Sequence, residues 1–297
     1  MPTNKTIGNY KHAPLTTGKD GSLVLDLPEI QEEALRAILP SVTIITITKD
    51  RPQFAGLMLY NWVNIKYPRA KLEWLILDDS DRTKSEHSLN DYLPKDDPTI
   101  RFVQLEKWYP VAEKRNKAVE MATHEFIVHM DDDDYYFPDH VLAKVRLMLT
   151  FDKQGVHSLP IGVFDLMEQS SYLFDVPIKN GFESNNVAEA SLAYRKDYWR
   201  KHKFVGIDDM GRGEGASFIG RRFGQWINVN FLFNMISITH TKNITGHNRR
   251  FINERQDTVK TGDFRDVFPE DFKLVLDNVR KMLLADYTQP KEGVIDL

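Results

Sequence analysis

The segment from residue 41 to residue 151 alternates between short apolar runs and stretches with helical periodicity, and this alternation constrains the fold most strongly. The first run, "SVTIITIT" at residues 41–48, has β-branched residues on both of its faces, which is typical of a strand covered on both sides in a parallel sheet. Parallel strands need long, usually helical connections between them. We therefore predict an α/β fold: a single domain whose central, mostly parallel sheet is flanked by helices.

The same periodicity places the other elements along the chain. Further strands are predicted at residues 72–81, 100–105, 125–130 and 235–246, and helices at residues 53–65, 111–123, 139–151 and 269–287. After residue 150 the pattern loosens into short strands, turns and a glycine-rich patch. We predict four consecutive parts: an N-terminal arm with a short helix (1–40), two halves of one domain (41–150 and 151–250) and a C-terminal helical appendage (251–297).

Composition excludes several classes of function. The chain of 297 residues has no cysteine, which excludes disulfides, thiolate metal sites and cysteine nucleophiles. Its net charge of −4 argues against a nucleic-acid partner, because such proteins carry a basic surplus. No apolar run reaches the length of a transmembrane segment, and the polar N-terminus lacks the apolar core of a signal peptide. We predict a cytoplasmic protein.

Three predicted strands end in polar groups, and the acidic ones are suited to binding a cation. These groups are residues 48–51 (TKDR), 78–81 (DDSD) and 131–134 (DDDD). Because ligands of open α/β sheets bind beyond the carboxyl ends of the strands, the three groups should share one site. Carboxylates suit Mg²⁺ or Mn²⁺, which often bind substrate phosphates as well. A D-x-D pair also occurs in solvated acidic turns, but its position after a buried strand favours a binding function.

Three stretches together resemble the family-2-like glycosyltransferases of the A-type (GT-A) fold, which transfer sugars from nucleotide donors. "VTIITITKDRP" at residues 42–52 is similar to the family's opening motif, and "LILDDSD" at residues 75–81 is similar to its nucleobase-binding segment. "KRNKAVEMATHEFIVHMDDDDYYFP" at residues 114–138 is similar to the stretch that contains the family's D-x-D. The resemblance covers residues 41–145 and implies a GT-A-like domain whose first half binds the nucleotide sugar.

The resemblance also implies roles for residues at matching positions. Those expected to hold the nucleotide are Thr48, Asp50, Arg51, Asp78 or Asp79, Lys114 and Arg115. Asp131 would contact the ribose or the donor sugar and would share the metal ion with Asp133. Asp132 is the variable middle residue of the motif, and we expect it to be solvated. Asp134 should cap the following turn through local backbone hydrogen bonds.

The glycine-rich patch "GIDDMGRGEGASFIGRR" at residues 206–222 resembles the family segment that supplies the catalytic carboxylate. In the family, that carboxylate deprotonates the acceptor hydroxyl. The usual Glu-Asp pair reads Glu214-Gly215 here, so the expected aspartate is missing. Glu214 is our candidate base, and Asp208 or Asp209 is the alternative.

A histidine after the predicted strand at residues 235–246 is a candidate third metal ligand. "SITHTKN" resembles the position of a histidine that completes the metal site in many GT-A enzymes, which makes His240 the candidate here. Lys242 would then be available to the donor diphosphate. The alternative is a structural role, which is the commoner one for a lone histidine after a strand.

The resemblance implies a metal-dependent enzyme, a glycosyltransferase of the hexosyltransferase type. It would move a sugar from a nucleotide-diphosphate donor, UDP by analogy with the family, to a hydroxyl of a glycan, protein or small-molecule acceptor, with inversion. Mn²⁺ or Mg²⁺ would be the cofactor. One alternative is a nucleotidyltransferase, although "TKDRP" lacks a glycine- and lysine-rich phosphate loop. The other is a noncatalytic module that binds nucleotide sugars or glycans, which the missing aspartate leaves open.

Overall fold

The computed structural model describes residues 11–18, 20, 22–81, 83, 88–174, 187–243, 259–261 and 264–288. The strands in these ranges are β1 Lys11–His12, β2 Leu15–Thr17, β3 Leu23–Leu25, β4 Val42–Thr48, β5 Leu72–Asp78, β6 Ile100–Gln104, β7 Phe126–His129, β8 Tyr135–Tyr136, β9 Gly155–His157, β10 Ile161–Asp165, β11 Ser170–Phe174, β12 Ala193–Arg195, β13 Trp226–Asn228, β14 Met235–Thr239 and β15 Val259–Thr261. The α-helices in these ranges are α1 Glu32–Ile38, α2 Ala55–Asn64, α3 Val111–Met121, α4 His140–Thr150, α5 Lys196–Lys201, α6 Glu214–Ile219 and α7 Glu270–Thr288.

The largest sheet has eight strands in the order β1-β13-β9-β12-β7-β4-β5-β6. Strands β7, β4, β5 and β6 are parallel to one another, and so are β9, β13 and β1. Only β12 runs antiparallel to both of its neighbours within this sheet. The prediction of a mostly parallel central sheet is therefore confirmed.

Both faces of this sheet are covered, as the β-branched composition of β4 predicts. Ile44 of β4 and Trp74 of β5 belong to one buried apolar cluster, whereas Ile45 and Leu75 belong to another. Successive side chains of a strand point to opposite faces, so the two clusters lie on the two faces of the sheet. Because both faces of the sheet are covered, a ligand can reach it beyond the carboxyl ends of its strands.

A second sheet of five strands, in the order β15-β11-β10-β14-β8, brings the second half of the chain to this edge. Strand β8 directly follows the four aspartates, and it pairs antiparallel with β14 through Tyr135 opposite Ile236. His240 directly follows β14. The pairing of two short strands therefore holds His240 close to the aspartate run.

The C-terminal helix α7 is present as predicted, and it packs against the rest of the protein. Phe272 is fully buried, with its ring centroid 4.4 Å from that of Tyr135 and 5.0 Å from that of Tyr60 in α2. The helices that the structure describes include none long and apolar enough to span a membrane. The predicted α/β fold is confirmed, with element ends that differ by a few residues; β5, for example, ends at Asp78 and not at residue 81.

Candidate functional site

The polar ends of β4, β5 and β7 meet at one edge of the large sheet. Thr48 and Asp78, the last residues of β4 and β5, are paired across the two strands. The backbone N–H of Met130, just after β7, donates to the carbonyl of Ile45 at 3.0 Å and extends the pairing towards the aspartates. The sequence-based expectation that these groups share one site therefore agrees with the backbone geometry.

Asp132 is buried at 2% exposure, so the expectation that it is solvated is wrong. Its carboxylate accepts a hydrogen bond from the Thr48 hydroxyl at 2.5 Å and one from Arg51 Nη1 at 2.9 Å. Burial raises the pKa of Asp132 to about 6, against the opposing effect of Arg51. The Arg51 guanidinium compensates the buried charge, and this partner lies 81 residues earlier in the chain.

Asp133 and His240, the predicted metal ligands, are in contact. His240 Nε2 lies 3.1 Å from Asp133 Oδ2, and the same oxygen accepts from Arg51 Nη1 at 2.7 Å and from Asn243 Nδ2 at 3.3 Å. Burial acts to raise the pKa of Asp133, but Arg51 and His240 outweigh it and lower that pKa to about 2. Asp133 is therefore a carboxylate held ionised by its neighbours.

The contact between Asp133 and His240 fits one divalent ion. Neighbouring ligands of an octahedral Mg²⁺ or Mn²⁺, each about 2.1 Å from the ion, lie about 3 Å apart. The 3.1 Å between the carboxylate oxygen and the imidazole nitrogen matches that spacing. No group of three acidic or histidine side chains arranged to hold a metal occurs in the described ranges. Water or donor phosphate oxygens would have to complete the coordination.

Asp134 has a structural role, but not the local one that its sequence position predicts. Its Oδ1 accepts a hydrogen bond from the backbone N–H of Ile238 in β14 at 2.8 Å, 104 residues away, and its backbone carbonyl accepts from Asn61 Nδ2 at 2.8 Å. The carboxylate therefore fastens β14 to the aspartate run. The expectation of a local turn cap is wrong because β14 supplies the donor.

Arg115 joins the donor side of the site to the glycine-rich segment. Its guanidinium donates to both carboxylate oxygens of Asp131 at 3.2 Å each, and its Nε donates to Glu214 Oε1 at 2.8 Å. Arg115 Nη1 also lies 3.1 Å from His129 Nδ1. Burial and the positive charge of Arg115 hold the pKa of His129 well below its usual range, so this imidazole stays neutral.

The remaining predicted nucleotide-binding residues lie around the ends of β4 and β5. Buried Lys114 forms an ion pair with Asp79 and donates to the carbonyl of Thr48 at 3.1 Å. Burial raises the pKa of Asp78. Asp50 adopts a left-handed backbone with φ of 52°, and its N–H donates to the Ser80 hydroxyl at 2.7 Å.

The predicted catalytic residues differ in their surroundings. Glu214, the first residue of α6, is 3% exposed and paired with Arg115. Asp209 is exposed in the turn that precedes α6, and Asp208 binds the backbone N–H and the Nε of Arg212. Of these three acids, Glu214 therefore has the contact that links it to Asp131.

Lys242, the predicted diphosphate ligand, is exposed beside the contact of Asp133 with His240. The Lys242 carbonyl accepts from Arg51 Nη2 at 2.7 Å, and its backbone N–H donates to His240 Nδ1 at 3.1 Å. Nδ1 of the imidazole therefore faces the backbone N–H of Lys242, and Nε2 faces Asp133.

Two residues of the site were missed by sequence reasoning. Glu189 lies in a short 3-10 turn, Glu189–Ser191, and its Oε1 accepts from the backbone N–H of Gly215 at 3.0 Å. Asn243 donates to Asp133. Asn243 ends the segment "SITHTKN", in which only His240 and Lys242 were given roles. Glu189 lies in no recognisable motif; its signal was Gly215, an unusual glycine where a carboxylate is expected.

Comparison with known proteins finds a family whose model matches part of the chain. The model of the family "Glycosyl transferase family 2" matches residues 43–173. This range contains the three polar strand ends and the aspartate run. None of the curated proteins shows significant sequence similarity to the chain.

Solved structures with related folds include a mannosyltransferase. The mannosyltransferase PcManGT from Pyrobaculum calidifontis, in complex with GDP-Man and Mn²⁺, is 17% identical with a TM-score of 0.51, over 91% of this chain and 79% of that one. S. aureus TarS 1–349 in complex with UDP is 13% identical with a TM-score of 0.51, over 86% and 94%. In the complex of TarS 1–349 with UDP-GlcNAc, the match is 14% identical with a TM-score of 0.48; it covers 68% of this chain and spans 60% of the TarS chain.

The family match and the architecture agree with the sequence-based expectation of a glycosyltransferase. The similarity to the solved structures, which are less than 25% identical in sequence, concerns the fold alone. The family model matches residues 43–173, less than half of the chain. The chain has the GT-A fold.

Proposed function

We propose that the protein is a metal-dependent transferase that moves a sugar from a nucleotide-diphosphate donor to an acceptor hydroxyl, with inversion at the anomeric carbon. The observation that carries this proposal is the Arg115 bridge between Asp131 and Glu214. It joins the end of β7, where a donor would bind, to the segment that would face the acceptor. A site that only stored a nucleotide would not need that connection.

The donor half of the proposal rests on the strand ends. The predicted nucleotide ligands surround the carboxyl ends of β4 and β5, where open α/β sheets bind ligands: Thr48, Asp50, Arg51, Asp78, Asp79, Lys114 and Arg115. We propose UDP as the nucleotide by analogy with TarS, which was crystallised with UDP and with UDP-GlcNAc. GDP is the competing choice, because the solved structure of PcManGT is a complex with GDP-Man.

Asp133 and His240 are the residues that would hold the metal ion, with Asp131 as the neighbouring carboxylate. When bound, Mn²⁺ or Mg²⁺ would neutralise the negative charge that develops on the leaving diphosphate. The mixed set of a carboxylate and an imidazole suits Mn²⁺ better than Mg²⁺, which prefers oxygen ligands alone. Arg51 and exposed Lys242 lie beside these ligands and would add positive charge next to the same diphosphate.

The chemistry proposed for the chain's own residues is a proton transfer and the stabilisation of charge. A carboxylate beside the N-terminal end of α6 accepts the proton of the acceptor hydroxyl, a contribution of about 10²–10⁴-fold to the rate. The sequence assigns this role to Glu214, with Asp209 as an alternative. The acceptor oxygen then attacks the anomeric carbon from the face opposite the leaving diphosphate, which inverts the configuration. We propose a cytoplasmic location and a glycan, protein or small-molecule acceptor.

The test is nucleotide release from a panel of donors. The purified chain is incubated with UDP-GlcNAc, UDP-glucose or GDP-Man, with MnCl₂ or with EDTA, and with methyl glycosides or water as the acceptor. We expect release of UDP or GDP from one donor, abolished by EDTA, and an inverted anomeric product by NMR. Tight Mn²⁺-dependent binding without any release would instead favour the noncatalytic module, the alternative that Gly215 raises.

A further inference from the structure

The carboxylate of Glu189 fills the space that a side chain at position 215 would need. Gly215 donates its backbone N–H to Glu189 Oε1 at 3.0 Å. A Cβ atom at position 215 would lie 2.7 Å from the same oxygen, a distance shorter than carbon–oxygen contacts allow. The carboxylate of Glu189 therefore lies in the space that the expected aspartate side chain at position 215 would take. Glu189 comes from a distant part of the chain. A carboxylate is present there, but a different residue supplies it.

The turn that carries Glu189 is fixed relative to Asp131. The hydroxyl of Tyr136 accepts a hydrogen bond from the Asp131 backbone N–H at 2.8 Å and donates one to the Ala190 carbonyl at 3.0 Å. His129 Nδ1 lies 2.8 Å from the Glu189 carbonyl. One buried phenol therefore connects the backbone of the donor-site aspartate to the turn. Such hydrogen-bonded support holds a functional side chain in a defined place.

The two glutamates at this position have opposite surroundings. Glu214 is buried at 3% exposure, and Arg115 donates to its Oε1, so its charge is compensated and its oxygen is occupied. Glu189 is half-buried. Burial and the adjacent Glu214 raise the pKa of Glu189 to about 7, although Arg115 acts in the opposite direction. A carboxylate whose pKa lies near neutral pH is well matched to act as a general base.

We propose that Glu189 is the catalytic base and that Glu214 is a positioning residue that holds Arg115 against Asp131. The inference rests on the proposed function and assigns its proton transfer. The acceptor O–H bond breaks and its proton goes to the Glu189 carboxylate. The acceptor oxygen forms the new bond to the anomeric carbon, while the bond from that carbon to the diphosphate oxygen breaks and the diphosphate leaves with the electron pair.

The experiment moves the carboxylate between the two positions. Four variants are compared with the wild type for nucleotide release and for Mn²⁺-dependent UDP or GDP affinity: Glu189→Gln, Glu189→Ala, Gly215→Asp and the double variant Glu189→Ala/Gly215→Asp. Glu189→Gln keeps an oxygen for the Gly215 N–H and should lower turnover by about 10²–10⁴-fold with the nucleotide Kd changed less than about twofold. Gly215→Asp alone should also be impaired, because its side chain would collide with Glu189.

The double variant decides between a chemical and a structural role. If position 215 and Glu189 share one carboxylate site, Glu189→Ala/Gly215→Asp should recover at least about tenfold over Glu189→Ala, because it restores the acid and removes the collision. A purely structural role for Glu189 predicts full turnover in Glu189→Gln, and that outcome would overturn the proposal. Exposed Glu120 on α3 offers the matched control Glu120→Gln, which should leave both measurements unchanged.

Failure of the proposed function has a different signature. A wild-type chain that releases no nucleotide from any donor would overturn the proposed function and this inference with it. A wild type that is active, with Glu189→Gln equally active and Glu214→Gln inactive despite unchanged nucleotide affinity, would overturn the inference alone. In that case the base would be Glu214, as the sequence by itself suggests.

Discussion

The carboxylate of Asp133 lies 3.1 Å from the imidazole of His240, although 107 residues separate them in the chain. The contact is produced by the pairing of β8, which begins two residues after Asp133, with β14, which ends directly before His240. A D-x-D motif alone is common. Here the second aspartate of the motif and a histidine from outside it have the spacing of neighbouring metal ligands. The first prediction concerns this pair.

Asp133→Asn should weaken Mn²⁺-dependent nucleotide binding by at least about tenfold, because it removes a charged ligand while keeping the shape of the side chain. His240→Ala should act in the same direction. If both residues hold one ion, the double variant should be little worse than either single one, since effects within one site are not additive. Calorimetric titration with UDP or GDP in MnCl₂ and in EDTA measures this. Exposed Asp96→Asn is the control, and equal affinities for all variants would contradict the assignment.

Arg115→Met should lower the free energy of unfolding by about 3–5 kcal/mol, because it leaves two carboxylates without their buried partner. Asp131 and Glu214 both lose a charge-assisted hydrogen bond in this variant. Arg101→Met is the matched control: Arg101 is half-exposed and only 3.6 Å from Glu73, so its loss should cost about 1 kcal/mol or less. Urea unfolding of both variants makes the comparison. Similar losses of unfolding free energy in the two variants would show that the ion pairs of Arg115 stabilise the protein no more than an exposed ion pair does.

The features of this protein that can be predicted from the sequence are those that local sequence patterns determine. The β-branched run of β4 has both faces covered, and the polar groups after β4, β5 and β7 lie at one edge because parallel strands share a direction. Periodicity and strand direction are properties of short segments. The location of the site followed from them without knowledge of tertiary contacts.

The errors concern residues whose environment is made by distant parts of the chain. Asp132 was expected to be solvated because it is the variable middle residue of the D-x-D motif, but Arg51 compensates its charge in the interior and Thr48 donates to its carboxylate. Asp134 was expected to bond locally, but β14 provides the donor. Glu189 carried no signal of its own. Charge compensation across long separations is a tertiary property, so a sequence pattern cannot specify it.

Lys144→Met should raise the free energy of unfolding at pH 7. It should also abolish the increase of that free energy with pH that the wild type shows above pH 7. Lys144 is fully buried, and its Nζ has no hydrogen-bond partner among the described residues. Burial lowers the pKa of Lys144 from 10.5 to about 7. Between these values the unfolded chain binds the proton and the folded chain does not, so the free energy of unfolding of the wild type rises with pH.

Urea unfolding between pH 7 and pH 9 checks the prediction for Lys144. The difference in unfolding free energy between Lys144→Met and the wild type should shrink as the pH rises. Lys66→Met, at an exposed lysine that pairs with Asp139, should show no such trend. A constant difference across this pH range would mean that Lys144 is charged in the folded protein throughout.

Phe272→Ala should destabilise the protein by about 3–5 kcal/mol, because it empties a fully buried aromatic position. The ring packs between Tyr60 and Tyr135 and joins α7 to the rest of the fold. Leu274→Ala on the same helix is the control, since Leu274 is 66% exposed and its loss should change the free energy of unfolding by about 0.5 kcal/mol or less. Equal losses of unfolding free energy in the two variants would indicate that the packing of Phe272 does not attach α7 to the rest of the protein.

The pH dependence of transfer should report Glu189. A base acts in its deprotonated form, and the pKa of Glu189 is raised to about 7 by burial and by Glu214. Turnover should therefore fall about tenfold per pH unit below about pH 7 and level off above it.

The other groups that face the carboxylate do not account for this change near pH 7: Arg115 stays charged because its pKa is raised well above its usual value, and the pKa of His129 is far below 7. In Glu189→Gln the residual rate should be flat between pH 6 and pH 8, whereas Glu120→Gln should keep the wild-type profile. Persistence of the inflection in Glu189→Gln would assign the proton to another group.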